Sequence, residues 1–180
     1  KQQEKPVLSF EIFPPKKEEA LKSIDATLEK LCDLKPDFIS VTFGAGGSTV
    51  DNKTVEIAKK IKNNYGVEPV VHLTCLQYSK EEISRILDEL SYVGIENILA
   101  LRGDVNPNVP MKYDFKYANE LVEFIKSRGD FHISGGCYPE VHPEALDGIT
   151  DIHNLKKKVD AGVSHLVSQL FFDNEIFYSF

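Results

Sequence analysis

A single carboxylate, Glu11, interrupts the apolar run Val7-Leu8-Ser9-Phe10-Glu11-Ile12-Phe13, which Pro14-Pro15 ends abruptly. A charge inside a buried strand is costly unless it is paired, for example with Lys16 or Lys17, or has a chemical job. Side chains alternate along a strand, so Ser9, Glu11 and Phe13 share one face and Leu8, Phe10 and Ile12 the other. Glu11 then sits at the C-terminal end of its strand. Further along lie Arg102, a bidentate cation, and Gln169, which combines a donor and an acceptor in one amide.

Such groups need elements to hold them. Apolar runs of strand length recur at 8–13, 38–43, 70–75, 98–101, 131–137 and 166–172. Helical spacing fills the gaps: Leu21, Ile24, Leu28 and Leu31 in the first helix, and Ile83, Ile86, Leu87 and Leu90 in the third. Ser79 and Glu82 fit a capping box ahead of that third helix, and Gly94 fits its stop. Further helices are predicted over 50–64, 117–128 and 152–161, the last followed by Gly162.

Strand then helix, repeated about every thirty residues, calls for a parallel sheet with helical crossovers. Doubly wound sheets and (β/α)8 TIM barrels both fit, and the strand ends favour the barrel. Alternation puts Ser40 and Thr42, His72 and Thr74, Arg102 and Asp104, Ser134 and Tyr138, and Gln169 on the face of Glu11. The opposite faces carry Ile39, Val41, Leu73, Leu99, Leu101, Ile133, Leu166 and Leu170, suited to packing under helices. A polar ring at the C-terminal ends of the strands describes a barrel mouth, where active sites of this fold lie. Six βα units are present where a barrel has eight, and 173–180 reads as the start of a sixth helix. Residues 1–180 are therefore read as one barrel domain, C-terminally incomplete by two units, with Lys1 in place of Met also suggesting trimming.

Composition narrows the partners. The chain has 180 residues, 42% hydrophobic and 27% charged, enough for one soluble domain with a sizeable core. A formal net charge of -7 argues against nucleic acid, and an anionic ligand would need local cations. No segment suits a membrane span, and the start lacks a signal-peptide hydrophobic region, so a cytoplasmic protein is expected. Cys32, Cys75 and Cys137 read as reduced structural thiols. The five histidines form no metal motif, and none is predicted to bind metal. Gly44-Ala45-Gly46-Gly47-Ser48-Thr49 lacks the P-loop lysine and reads as a flexible βα turn.

The stretch Phe10-Glu11-Ile12-Phe13-Pro14-Pro15-Lys16, followed by Leu101-Arg102-Gly103-Asp104 and Tyr138-Pro139-Glu140-Val141-His142-Pro143-Glu144-Ala145, resembles the methylenetetrahydrofolate reductase family. Ser40-Val41-Thr42-Phe43-Gly44-Ala45, His72-Leu73-Thr74-Cys75, Lys156-Lys157-Lys158-Val159-Asp160-Ala161-Gly162 and Ser168-Gln169-Leu170-Phe171-Phe172-Asp173 match as well, in the same order. Each stretch is weak alone; together they are highly specific.

The resemblance implies a flavoprotein that reduces methylenetetrahydrofolate to methyltetrahydrofolate, using FAD reduced by NADH, NADPH or a partner's redox centre. Hydride needs an electrophilic carbon, so the methylene bridge must open to an iminium ion, which requires a general acid. By resemblance Glu11 is that acid, its proton retained by surroundings of Phe10, Phe13 and flavin. Asp104 is implied beside the flavin, lowering its potential and contacting the pterin; Gln169 is implied at the pterin edge. The implied FAD set is Thr42, Phe43, Ala45, His72, Arg102, Gly103 and Asp104, then Tyr117, Ala118, Tyr138, His142 and Ala145, and finally Asp151, Asn154, Lys157 and Lys158. Arg102 and Lys158 suit its diphosphate. Phe43 stands where the family has a tyrosine, and Lys157 where it has an arginine. The rivals are a pterin-binding barrel methyltransferase and a non-catalytic flavin-binding fragment; oligomeric state is left open, a homo-oligomer included.

Overall fold

The computed structural model describes residues 6–15, 18–43 and 52–180. Twelve elements alternate along them: β1 (Ser9–Ile12), α1 (Glu18–Asp33), β2 (Phe38–Val41), α2 (Asn52–Tyr65), β3 (Glu68–Thr74) and α3 (Lys80–Tyr92), then β4 (Asn97–Leu101), α4 (Ala118–Arg128), β5 (His132–Cys137), α5 (Gly148–Asp160), β6 (His165–Ser168) and α6 (Asn174–Ser179).

Local chemistry sets several boundaries. Before α3, Glu82 N donates to Ser79 Oγ at 3.2 Å and Ser79 N donates to Glu82 Oε2 at 2.7 Å, the reciprocal capping box predicted from sequence. Gly94, at φ +74°, ends that helix in the left-handed region, where a side chain is disfavoured. α5 begins at Gly148 rather than at 152, because Asp147 caps it through Thr150 N at 2.7 Å. Periodicity locates apolar residues, and this first turn has few to offer.

All six strands are parallel, in the order β1-β2-β3-β4-β5-β6. Each crossover leads to the next strand in the same direction, and right-handed crossovers then put the helices on one side of the sheet. A doubly wound sheet would need its strand order to reverse. The sequential order removes that alternative and leaves a curled, partial barrel of six βα units.

The helix side is the core. Ile12, Ile39, Val41, Val71, Leu73, Ile98, Ala100 and Ile133 are buried with Leu28 of α1, Ile61 of α2, Leu87 of α3 and Leu121 of α4. Burying such a side chain contributes roughly 1.5–3 kcal/mol. The pairings Glu11↔Ser40, Ser40↔Val70, His72↔Leu99 and Leu99↔Ser134 define the other, interior face.

This ladder corrects the predicted faces at β4. Leu99 and Leu101 pair with His72 and Thr74, so they line the interior instead of packing under helices. Alternation counted back from Arg102 misplaced them, because Arg102 lies beyond the strand end, next to Gly103 at φ +83°, where the two-residue period no longer holds. β6 also stops at Ser168, short of the predicted 172. Leu166 is 43% and Leu170 72% exposed, so the helical cover expected over them is absent among the described residues. No described helix is long and apolar enough to cross a membrane.

Ile98 is fully buried at the centre of this packing. Ile98→Ala should therefore cost about 2–5 kcal/mol in urea unfolding, whereas Ser79→Ala should cost only about 1 kcal/mol for the lost cap.

Candidate active site

The loops that follow β4 and β5 build a cavity of about 420 Å³. Directly after β4 comes Arg102, whose carbonyl accepts from Cys75 N at 3.2 Å and Leu76 N at 3.1 Å. Gly103 then turns the chain at φ +83°, and a Cβ there would lie 3.0 Å from Thr74 Cβ, so both conformation and space call for glycine. Asp104 is exposed, and its carbonyl accepts from Gln77 Nε2 at 2.7 Å. Tyr117 and Ala118 reach the cavity from the N-terminus of α4.

The loop after β5 brings Tyr138, His142 and Ala145. It is held by hydrogen bonds: His142 N donates to Asp151 Oδ2 at 2.9 Å, Glu144 N to His142 Nδ1 at 3.1 Å, and Ala145 N to the His142 carbonyl at 2.8 Å. The Tyr138 and His142 rings meet edge to face, centroids 4.6 Å apart. α5 adds Asp151, Asn154, Lys157 and Lys158. Lys157 Nζ donates to Asn154 Oδ1 at 3.0 Å, and Lys158 Nζ to the Gly136 carbonyl at 2.5 Å. Burial pulls the Lys158 ammonium below its ordinary pKa, against the opposing charge of Asp151. Three cations therefore line one cavity of an acidic protein.

Arg102 is already engaged. Its Nη1 and Nη2 donate to the two Glu144 carboxylate oxygens at 2.5 and 2.6 Å, a bidentate pair. The hydrogen bond from Arg102 holds the Glu144 carboxyl below its usual range. Glu144, like Asn119, Cys137 and Leu155, lines this cavity and was not identified from sequence. Arg102 and Glu144 are 42 residues apart, so no local spacing announces the pair.

Other predicted residues lie elsewhere. Phe43 is buried and its ring meets Tyr78 edge-on at 5.5 Å, which leaves its main chain for contact. Thr42 is half-buried, its carbonyl accepting from Thr54 Oγ1 at 3.1 Å. Gln169 is exposed just past β6, its N–H donating to the Cys137 carbonyl at 2.8 Å. Ala45, Lys16 and Lys17 fall outside the described residues.

Glu11 is on β1, at the first edge of the sheet, with its side chain 49% exposed. The enclosure expected from Phe10 and Phe13 is not there. Phe10 packs against the core on the opposite face, as alternation demands, and Phe13 lies past the strand end, 70% exposed. Its titratable neighbour among the described residues is His72, with Nε2 3.8 Å from Glu11 Oε2.

A second cavity, of about 440 Å³, lies between the loop after β5, the start of α5 and α6, and shares Tyr138 and Asp151 with the first. Among the described residues its lining includes Glu175 and no cation, so it suits an anionic ligand poorly. All three cysteines are free, and burial pushes the Cys75 thiol up to about 12, which makes it unreactive. Among the described residues no three His, Cys, Asp or Glu side chains converge as for a metal ion.

The Glu144 carboxylate holds the guanidinium that an anionic ligand would use. Glu144→Gln should tighten binding of pyrophosphate several-fold by calorimetry. Because Glu144's carboxyl is held low, the native pair is intact at neutral pH and is lost as pH falls through that lowered value. The variant's advantage should therefore shrink in acid.

The family model for methylenetetrahydrofolate reductase matches residues 1–180. Relatives with that enzyme's name include the protein of Pectobacterium carotovorum, 43% identical over 96% of this chain and 57% of its own length. The Escherichia coli K12 protein is 42% identical with the same coverage, and the Arabidopsis thaliana protein named methylenetetrahydrofolate reductase (NADH) 1 is 41% identical, covering 31% of its length. The chain thus spans little more than half the length of the bacterial relatives. A solved structure from Clostridium thermocellum, of an uncharacterized protein that binds two copies of 5-methyl-5,6,7,8-tetrahydrofolic acid, is alike in fold, with a TM-score of 0.66 at 17% identity over 96% of this chain and 57% of that one. Sequence matched from end to end, on the fold just described, assigns the chain to the methylenetetrahydrofolate reductase family.

Proposed function

We propose that this protein reduces methylenetetrahydrofolate to methyltetrahydrofolate with electrons from NADH or NADPH passed through FAD. The observation that carries the reading is the gathering of Arg102, Lys157 and Lys158 with Tyr117 and Tyr138 around one cavity at the C-terminal ends of the strands. Family membership joins that geometry to folate chemistry. The six sequential strands are read as part of a (β/α)8 barrel, and residues 1–180 as its FAD-binding catalytic domain without the last two units. The free thiols support a cytoplasmic setting.

The residues present fit FAD: cations for a diphosphate, aromatic faces for planar rings, and a glycine where main chain comes close. Arg102 and Lys158 would hold the diphosphate, Arg102 after Glu144 gives way. Tyr117, Ala118, Tyr138, His142, Ala145, Asp151, Asn154 and Lys157 would enclose the remainder, with Thr42, Phe43, Ala45, His72, Gly103 and Asp104 along the strand ends. When bound, FAD supplies hydride transfer.

This chain's own residues supply the proton and the orientation. Glu11 faces the interior and is open to ligand, and it gives its proton to the departing nitrogen of the methylene bridge. Gln169 offers donor and acceptor to the pterin edge, which its exposed position allows. Asp104 accepts from the pterin and sets a negative charge near the reacting rings.

In the holoenzyme, Glu11→Gln should keep its yellow flavin and still be bleached anaerobically by the nicotinamide, while folate reduction falls about 10²–10⁴-fold. Near-normal folate turnover in that variant rejects the assignment of the acid. Asp104→Asn should raise the flavin potential and weaken folate binding. A colourless protein that retained folate affinity would point instead to a pterin-binding methyltransferase.

A further inference from the structure

His72 is 7% exposed on the interior face of β3, and among the described residues its Nε2 is a buried polar atom without a hydrogen-bond partner. Orphaned buried groups of this kind are uncommon and call for an explanation. Among the described residues its ion-pair partner is Glu11, with Oε2 at 3.8 Å, too far for a hydrogen bond. Glu11 and His72 are two strands apart, so their side chains meet over β2. There the interior face carries Ser40, buried and small, which pairs with Glu11. Ser40 in turn pairs with Val70, so His72 lies one interior row further toward the C-terminal ends of the strands.

We propose that His72 is a positioning residue for Glu11: its Nε2 takes one carboxyl oxygen and leaves the other directed at the open interior. The inference rests on the reading of Glu11 as the acid. Glu11's half-exposed side chain needs to move only about 1 Å to close the gap to hydrogen-bond length. The rigid member of the pair is the imidazole, fixed in the centre of the sheet; the mobile member is the carboxyl that reaches the substrate. Such anchoring by a buried ring holds a reacting group in one geometry.

The groups around His72 make the contact testable. β2 offers Ser40 and Thr42 and β4 offers Leu99, none of them charged, so among the described residues Glu11 supplies the charge that acts on the ring. Burial lowers the His72 pKa, and the Glu11 carboxylate opposes that effect. Removing the carboxylate therefore leaves burial unopposed.

The experiment is a ring-nitrogen NMR titration of the five histidines in the holoenzyme. In Glu11→Gln the His72 midpoint should fall by about half a pH unit or more, with a changed Nε2 shift, while His132, His142, His153 and His165 stay put. Glu11→Asp keeps the charge and shortens the reach, and it should lose most of the same coupling. A His72 midpoint and Nε2 shift unchanged in Glu11→Gln overturn the proposal. Full retention in Glu11→Asp also overturns it, since the charge would then act without contact. Glu11 is outside the core, so both variants should fold, which the unchanged histidines check. Failure of the acid assignment itself would show separately, as normal folate turnover in Glu11→Gln.

Discussion

The structure depends on the register of its parallel ladder. Ile39 pairs with Pro69, Val71 with Ile98, and Ile98 with Ile133, and these pairings put one apolar row after another under the helices. A slip of one residue would turn every such row toward the interior and every polar residue toward the core. Glu11, Ser40 and His72 share an interior face because their neighbours in sequence are held on the other side.

That constraint separates two kinds of site residue. On the strands, position follows from the ladder: Glu11 is level with Ser40 and Ser40 with Val70, so the Glu11 carboxyl meets His72 from one interior row below it. Past the strand ends the ladder no longer acts, and loops are placed by turns, caps and ion pairs. Gly103 turns the chain beside Thr74, Asp151 ties down His142, and Glu144 grips Arg102. The candidate cavity lies there, and its cations run against the acidity of the whole chain.

The two ends of the sheet are finished to different degrees. From β1 to β5 the helix side is closely packed, while β6 is exposed throughout and α5 buries no side chain fully. Parallel strands are normally covered on both faces. Exposed Leu166, Leu170 and Phe172 show that the β6 end lacks, among the described residues, the cover that β2 to β4 have.

The sequence by itself determined the alternation of elements, the capping box at Ser79 and Glu82, the apolar stripes and the residue set that marks the family. These are local or nearly local properties: periodicity, cap chemistry and side-chain type act within a few residues. Tertiary structure alone decided the strand order, which excluded a doubly wound sheet; the interior position of Leu99 and Leu101; the openness of Glu11; and the pairs Arg102–Glu144 and Glu11–His72. Each depends on groups tens of residues apart, brought together by sheet register and loop closure, which leave no signature in spacing along the chain.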